Sequence, residues 1–143
     1  MLFICIFSTA FALVNNNSSK IVEGVFVNGI NLSGLTTDEA TQKLTDEFSK
    51  KLDSTLILKC GDFHSEIIPR QDIEANYNIS TAIEKAYSIG RSGNLIQNNY
   101  AILVSLLATQ KINLNLQYNP EKLDTYIDNI STQIPGLVEL CVN

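Results

Sequence analysis

Apolar positions recur four apart at Ala40, Leu44, Phe48 and Leu52, with Leu35 just before them, while Glu39/Lys43, Asp46/Lys50 and Glu47/Lys51 pair four apart on the opposite side. That period predicts an amphipathic helix with one dry stripe. Its start is marked by Thr36-Thr37-Asp38-Glu39, a capping box in which the Thr36 hydroxyl accepts from the Glu39 amide and the Glu39 carboxylate accepts from the Thr36 amide. Upstream, Val22 to Asn28 reads as a short strand broken by Gly29, and Ile30 to Leu35 leads into the helix. Downstream, Thr55–Lys59 and Phe63–Ile68 are β-rich runs joined by Cys60-Gly61-Asp62. They predict an antiparallel hairpin, and Pro69 stops its second strand.

The second half is mostly helical. Thr81 stands three before Glu84, a second capping-box spacing, ahead of Ala82, Ile83, Ala86 and Tyr87, and Gly90 is placed to end that helix in the left-handed conformation. A third helix is expected from Asn94 to Thr109, with Ile96, Tyr100, Leu103 and Leu107 along one side. Alternation at Ile112, Leu114, Leu116 and Tyr118 predicts a strand. Asn119 as N-cap and Pro120 as first helical residue open a last helix whose buried face is Leu123, Ile127, Ile130 and Ile134, ended by Pro135-Gly136. The expected fold class is α+β: a single domain in which a β-hairpin and short strands pack against about four helices.

Composition narrows the function classes. A chain of 143 residues, 45% hydrophobic and 17% charged, can bury one core, so a large multidomain enzyme is excluded. A net charge of -5 removes the counterion-release term that drives nucleic-acid binding, so no nucleic-acid partner is expected. With 7 glycines and 3 prolines, fibrous and low-complexity readings fall as well.

Residues 1–14, MLFICIFSTAFALV, form an uncharged apolar run, short for a membrane span and suited to the hydrophobic region of a signal peptide, with Ala10-Phe11-Ala12 as a small-x-small cleavage site. No Lys or Arg precedes Lys20, so a start further upstream would make the run a membrane anchor instead. The expected organisation is a signal or anchor over 1–14, a polar spacer over 15–20, the folded domain over 21–134, and the start of a linker or further region over 135–143. Export agrees with the cysteines. Cys5 would leave with a cleaved signal, while Cys60 and Cys141 could pair and have no metal-ligand spacing.

Several stretches together resemble a known family. Gly24-Val25 through Gly29-Ile30, then Leu32-Ser33-Gly34-Leu35-Thr36 and Asp38-Glu39-Ala40, and later Ala86-Tyr87-Ser88-Ile89-Gly90-Arg91-Ser92-Gly93-Asn94, resemble the peptidoglycan-binding domain of VanW-type proteins, which also precedes the catalytic domain in some bacterial L,D-transpeptidases. The likeness runs from Ile21 to Ile134. It implies an extracytoplasmic, non-catalytic module at the bacterial cell wall, positioning an attached domain, with peptidoglycan or an associated anionic wall polymer as partner and the membrane as a second partner if the N-terminal segment is uncleaved. The alternatives are a structural spacer or protein-interaction domain, and a truncated VanW-type protein or transpeptidase. Val138 to Asn143, VELCVN, looks like the opening of a further strand.

Candidate chemistry is sparse, and no cofactor is expected. His64 and Ser65 are neighbours in a strand, so they point to opposite faces and cannot share a proton. Cys60 and Cys141 have no His at catalytic spacing, and the acidic pairs Asp38/Glu39 and Asp46/Glu47 are adjacent rather than facing. The site with most promise is Gly90 to Asn94. There Arg91, Ser92 and Asn94, with Tyr87 one turn earlier, stand at the start of a helix where backbone N–H groups and a guanidinium could hold a carboxylate or phosphate; the alternative is that Gly90 and Asn94 cap the two helices and Arg91 pairs with a domain carboxylate to fix the turn. Tyr77, Tyr87 and Tyr100 could form a sugar platform, but tyrosines at helical spacing more often close the edge of a core.

Overall fold

The computed structural model describes Val14 and residues 18–134. The signal or anchor, most of the spacer, the strand expected at VELCVN and any Cys60–Cys141 pairing lie outside the described residues. Among the described residues no helix is long and apolar enough to cross a membrane. The expected α+β class holds, with five helices among the described residues from Thr37 to Ser131 and several short strands in small sheets. Contacts gather into two compact units, one made of the residues up to Thr45 with Asn78–Leu114, the other of Asp46–Tyr77 with the residues from Asn115 on.

In the first unit, β1 (Val25–Val27) and β2 (Ile30–Asn31) form a hairpin in register Val27 to Ile30. Asn28 and Gly29 both take positive φ, 46° and 84°, as a two-residue hairpin turn requires. Gly29 therefore does more than break a strand: the sequence reading missed the hairpin it closes. On its other side β1 pairs in parallel with β6 (Gln110–Ile112), and α3 (Ile79–Ser88) lies against both strands with Ala82, Ile83 and Ala86 buried. The α3 cap is Asn78, whose side chain accepts from the Thr81 amide at 3.2 Å. Thr81 is thus inside the helix rather than at its cap, because Asn78 supplies the same hydrogen bond three residues earlier.

Helix α1 (Thr37–Leu52) carries the expected capping box: the Thr36 amide donates to the Glu39 carboxylate at 2.9 Å and the Glu39 amide donates to the Thr36 hydroxyl at 3.3 Å. Ala40, Leu44, Phe48 and Leu52 are buried, as the period required.

Helix α4 (Leu95–Leu107) overturns its expected orientation. Ile96, Tyr100, Leu103 and Leu107 are 81%, 71%, 54% and 88% exposed, whereas Asn98, Asn99, Ile102 and Ser105 are buried. Close fit to the neighbouring backbone explains the reversal. The Asn98 side chain accepts from the Gly93 amide at 2.8 Å and donates to the Gly93 carbonyl at 2.9 Å. Gly24, at φ +81°, comes so close to Ser105 that a Cβ on it would fall inside the Ser105 carbonyl. The inner face therefore takes a small side chain at Ser105 and a hydrogen-bonded one at Asn98, with Ile102 buried between them.

In the second unit, β3 (Leu56–Cys60) and β4 (Phe63–Ile67) make the expected hairpin, in register Cys60 to Phe63 through Leu56 to Ile67. Pro69 does not merely stop β4. It opens a one-turn helix, α2 (Pro69–Asp72), because its missing N–H is no loss at the first helical position. The single strand expected over Ile112–Tyr118 is two: β6, and β7 (Leu116–Gln117), which pairs with β5 (Asn76–Tyr77) in another sheet. Leu114 ends the first unit's share of the chain and Asn115 begins the second's, so one alternating run serves two sheets. Helix α5 (Pro120–Ser131) starts as expected, the Asn119 side chain accepting from the Glu121 and Lys122 amides. Its inner face is shifted: Leu123 and Tyr126 pack on Leu52, Ile67, Ile73 and Ala75, while Ile127 is exposed.

Two carboxylates tie these elements to pH. Glu39 is held below the usual glutamate pKa first by the Thr36 amide, and Glu74 first by the Asn119 side-chain amide and then by Lys122, whose ammonium lies 2.9 Å away. Both folded values are depressed, so the stability they contribute is present above the unfolded value of about 4.3 and disappears as pH falls through the lower folded values. Urea midpoints should therefore fall below about pH 4, and Glu74→Gln should flatten that slope; an unchanged slope would remove Glu74 from the explanation.

Candidate functional site

The turn from Gly90 to Asn94 closes on itself. Gly90 is buried at φ +75° just past α3, the left-handed terminator its sequence position called for. Asn94 is the N-cap of α4: its side chain accepts from the Gln97 amide at 3.0 Å while the Gln97 side chain accepts from the Asn94 amide at 3.1 Å. The Gly93 amide goes to Asn98 and the Arg91 amide to the Ser88 carbonyl. The N–H groups of Gly93, Asn94 and Gln97 at the start of α4 are thereby engaged within the chain.

Arg91 is engaged likewise. Its guanidinium lies 4.1 Å over the Tyr87 ring and donates to the carbonyls of Tyr87 at 2.8 Å, Ser18 at 3.1 Å and Lys20 at 2.6 Å. The Tyr87 hydroxyl donates to the same Ser18 carbonyl at 3.1 Å. Partial burial pulls the Arg91 pKa below the usual arginine value, against the opposing effect of Tyr87; the group stays cationic at neutral pH. Structure thus brings Tyr87 and Arg91 together as a clamp on residues 18–20, places Asn94 in a cap, and leaves Ser92 exposed. The clamp could be read from sequence only in part, since a Tyr and an Arg four apart on a helix end are neighbours, but nothing local showed that residues 18–20 lie under them.

The clamp makes a direct prediction. Arg91→Ala should lower unfolding stability by about 1–3 kcal/mol, the scale of charge-assisted hydrogen bonds lost from a half-buried site, and Arg91→Lys should not restore it, because an ammonium cannot reproduce the planar fork. Denaturant midpoints decide; an unshifted midpoint would show that the guanidinium does not hold the fold.

The remaining candidates separate. Tyr77 packs on the Phe48 ring at 4.8 Å in the second unit, and Tyr100 stands exposed on α4. Ser65 shares a hydrogen bond of 2.7 Å with the Tyr126 hydroxyl, whereas His64 pairs across the hairpin with Lys59 on the other face. Among the described residues no group of His, Cys, Asp and Glu could hold a metal ion. Sequence reading missed an open cleft of about 490 Å³ along α2 and α5, lined by Gln71, Asp72, Glu121, Lys122, Thr125, Tyr126 and Asn129. The Gln71 and Asn129 amides and the Tyr126 ring are groups that hydrogen-bond to and stack on sugars and peptides, beside the charged Asp72, Glu121 and Lys122, while the Thr125 and Tyr126 hydroxyls are engaged within the chain.

Residues 67–135 match the family model described as "Putative peptidoglycan binding domain". No curated protein and no solved structure matches the chain.

Proposed function

We propose that this chain is a non-catalytic, extracytoplasmic module that binds peptidoglycan and holds an attached domain at the cell wall, of the kind found in VanW-type proteins and ahead of L,D-transpeptidase catalytic domains. The observation that carries it is the match of residues 67–135 to a peptidoglycan-binding family. The cleft along α2 and α5 supports the reading, since every residue that lines it falls inside the matched stretch. At the Gly90–Asn94 turn, Ser92 is the side chain left to meet a ligand, with Arg91, Tyr87 and Asn94 as positioning residues behind it. A second reading, a structural spacer that never touches glycan, draws on the closure of that turn by its own side chains.

Co-sedimentation of the full chain with purified sacculi tests the proposal. The chain should pellet with intact sacculi and stay in the supernatant once they are digested, without hydrolysing muropeptides or exchanging their terminal D-amino acids. Gln71→Ala with Asn129→Ala should weaken pelleting severalfold at unchanged stability, because both side chains are exposed. A folded chain that stays in the supernatant supports the spacer; turnover of muropeptides would overturn the non-catalytic reading.

A further inference from the structure

The exposed side of α4 has no charge on it. From Ser92 to Gln110 the sequence contains no Asp, Glu, Lys or Arg, and Ile96, Tyr100, Leu103 and Leu107 stand open on a helix whose polar Asn98, Asn99 and Ser105 are turned inward. Such a contiguous apolar face on a folded acidic domain marks a contact surface. What covers it is indicated by where the chain upstream enters. Tyr87 and Arg91 fasten the Ser18 and Lys20 carbonyls beside the start of α4, and a groove that Ser18 and Lys20 line is also lined by Ile102 and Leu106 of that helix. Only Asn15-Asn16-Asn17 separate Ser18 from the uncharged apolar run that ends at Val14, so at most roughly 14 Å of chain lies between them.

We infer that the apolar face of α4 rests on the lipid bilayer in which the N-terminal segment is anchored, so that the first unit lies against the membrane surface. This rests on the reading of residues 1–14 as an anchor. The contact is apolar rather than electrostatic, because the face carries no basic residue and the chain is acidic overall, whereas interfacial helices that bind free in solution add Lys and Arg. A short tether removes the need for high affinity, since it raises the effective concentration of the face at the bilayer to the millimolar range, on the order of 1 mM or more. Salt should accordingly leave the contact unchanged.

The chain has no tryptophan, so a single one reports its own surroundings. The full chain carrying Tyr100→Trp, and a control carrying Glu84→Trp on the exposed side of α3, are reconstituted into phosphatidylcholine vesicles, floated on a density gradient, and read with and without bromine-labelled acyl chains. The expected result is that both float, that Tyr100→Trp emission is blue-shifted and quenched by the labelled lipid at low and high salt, that Glu84→Trp is not quenched, and that adding Leu103→Glu and Leu107→Glu abolishes the quenching without releasing the chain. Flotation with no quenching of Tyr100→Trp overturns the membrane contact while the anchor stands. A chain that does not float overturns the anchor reading and the contact with it. Blue-shifted emission that grows with protein concentration in detergent, without lipid quenching in vesicles, overturns the contact in favour of a second copy on the same face.

Discussion

Gly24→Ala is expected to destabilise the fold by roughly 2–5 kcal/mol, adding the strain of a side chain at positive φ, about 1–2 kcal/mol, to overpacking of about 1–3 kcal/mol. Gly24 sits at φ +81° where a Cβ would fall inside the backbone carbonyl of Ser105, and its own carbonyl accepts from the Gln110 amide at 2.8 Å. Neither neighbour is a flexible side chain that could move aside: one belongs to α4 and the other to β6. Gly29 is the internal comparison. Its φ is nearly the same, +84°, but nothing lies within 4 Å of an added Cβ, so Gly29→Ala should cost about 1–2 kcal/mol, the conformational part alone. Denaturant unfolding of the two variants separates strain from clash, and equal losses would show that the approach of Gly24 to Ser105 is not what the position demands. Against a total stability of about 5–15 kcal/mol, the larger loss would leave Gly24→Ala marginal at 37 °C.

Leu44→Ala should cost about 3–5 kcal/mol, in the range of fully buried leucines, while Leu103→Ala should change stability by less than about 0.5 kcal/mol, as for exposed positions. Both leucines belong to an apolar stripe at helical spacing, yet Leu44 is 0% exposed and Leu103 is 54% exposed. Leu44 lies in α1, where alanine is a good helix former, so the loss measures the cavity rather than the helix. Comparable losses in the two variants would contradict the orientation of α4.

That pair of leucines also shows how far the sequence could be read. Around α1 the signals agree: the capping box, the four-residue apolar period and the charged opposite side all place the same face inward, and the structure follows them. For α4 the period was equally clear and indicated the wrong side. The choice there is made by a long-range fit, the backbone of Gly24 against Ser105, together with the Asn98 amide closing on Gly93 just ahead of the helix, and both partners lie outside the helix itself. The hairpin β3–β4 was legible because its strands and turn are contiguous, whereas β5 and β7 pair distantly in sequence, Asn76 with Gln117 and Tyr77 with Leu116, a distance over which a two-residue strand leaves no pattern. At the candidate site, the sequence places Tyr87, Arg91, Ser92 and Asn94 around one turn between two helices. It could not show that the Ser18 and Lys20 carbonyls would receive the guanidinium that an anionic ligand was expected to take. The cleft along α2 and α5 was invisible for a similar reason, since Gln71 and Asn129 converge only through packing of α5 within the second unit.

The most direct measurement of peptidoglycan recognition is an amide NMR titration of the full chain, held in mild detergent, with muropeptides released from sacculi. The expected result is a saturable set of shift changes concentrated in residues 67–135, the family-matched stretch, with Gln71 and Asn129 among the responders and the Arg91 clamp intact throughout. A folded chain whose spectrum is unmoved at millimolar muropeptide, or one whose responses fall outside that stretch, would contradict the assignment of wall binding to it.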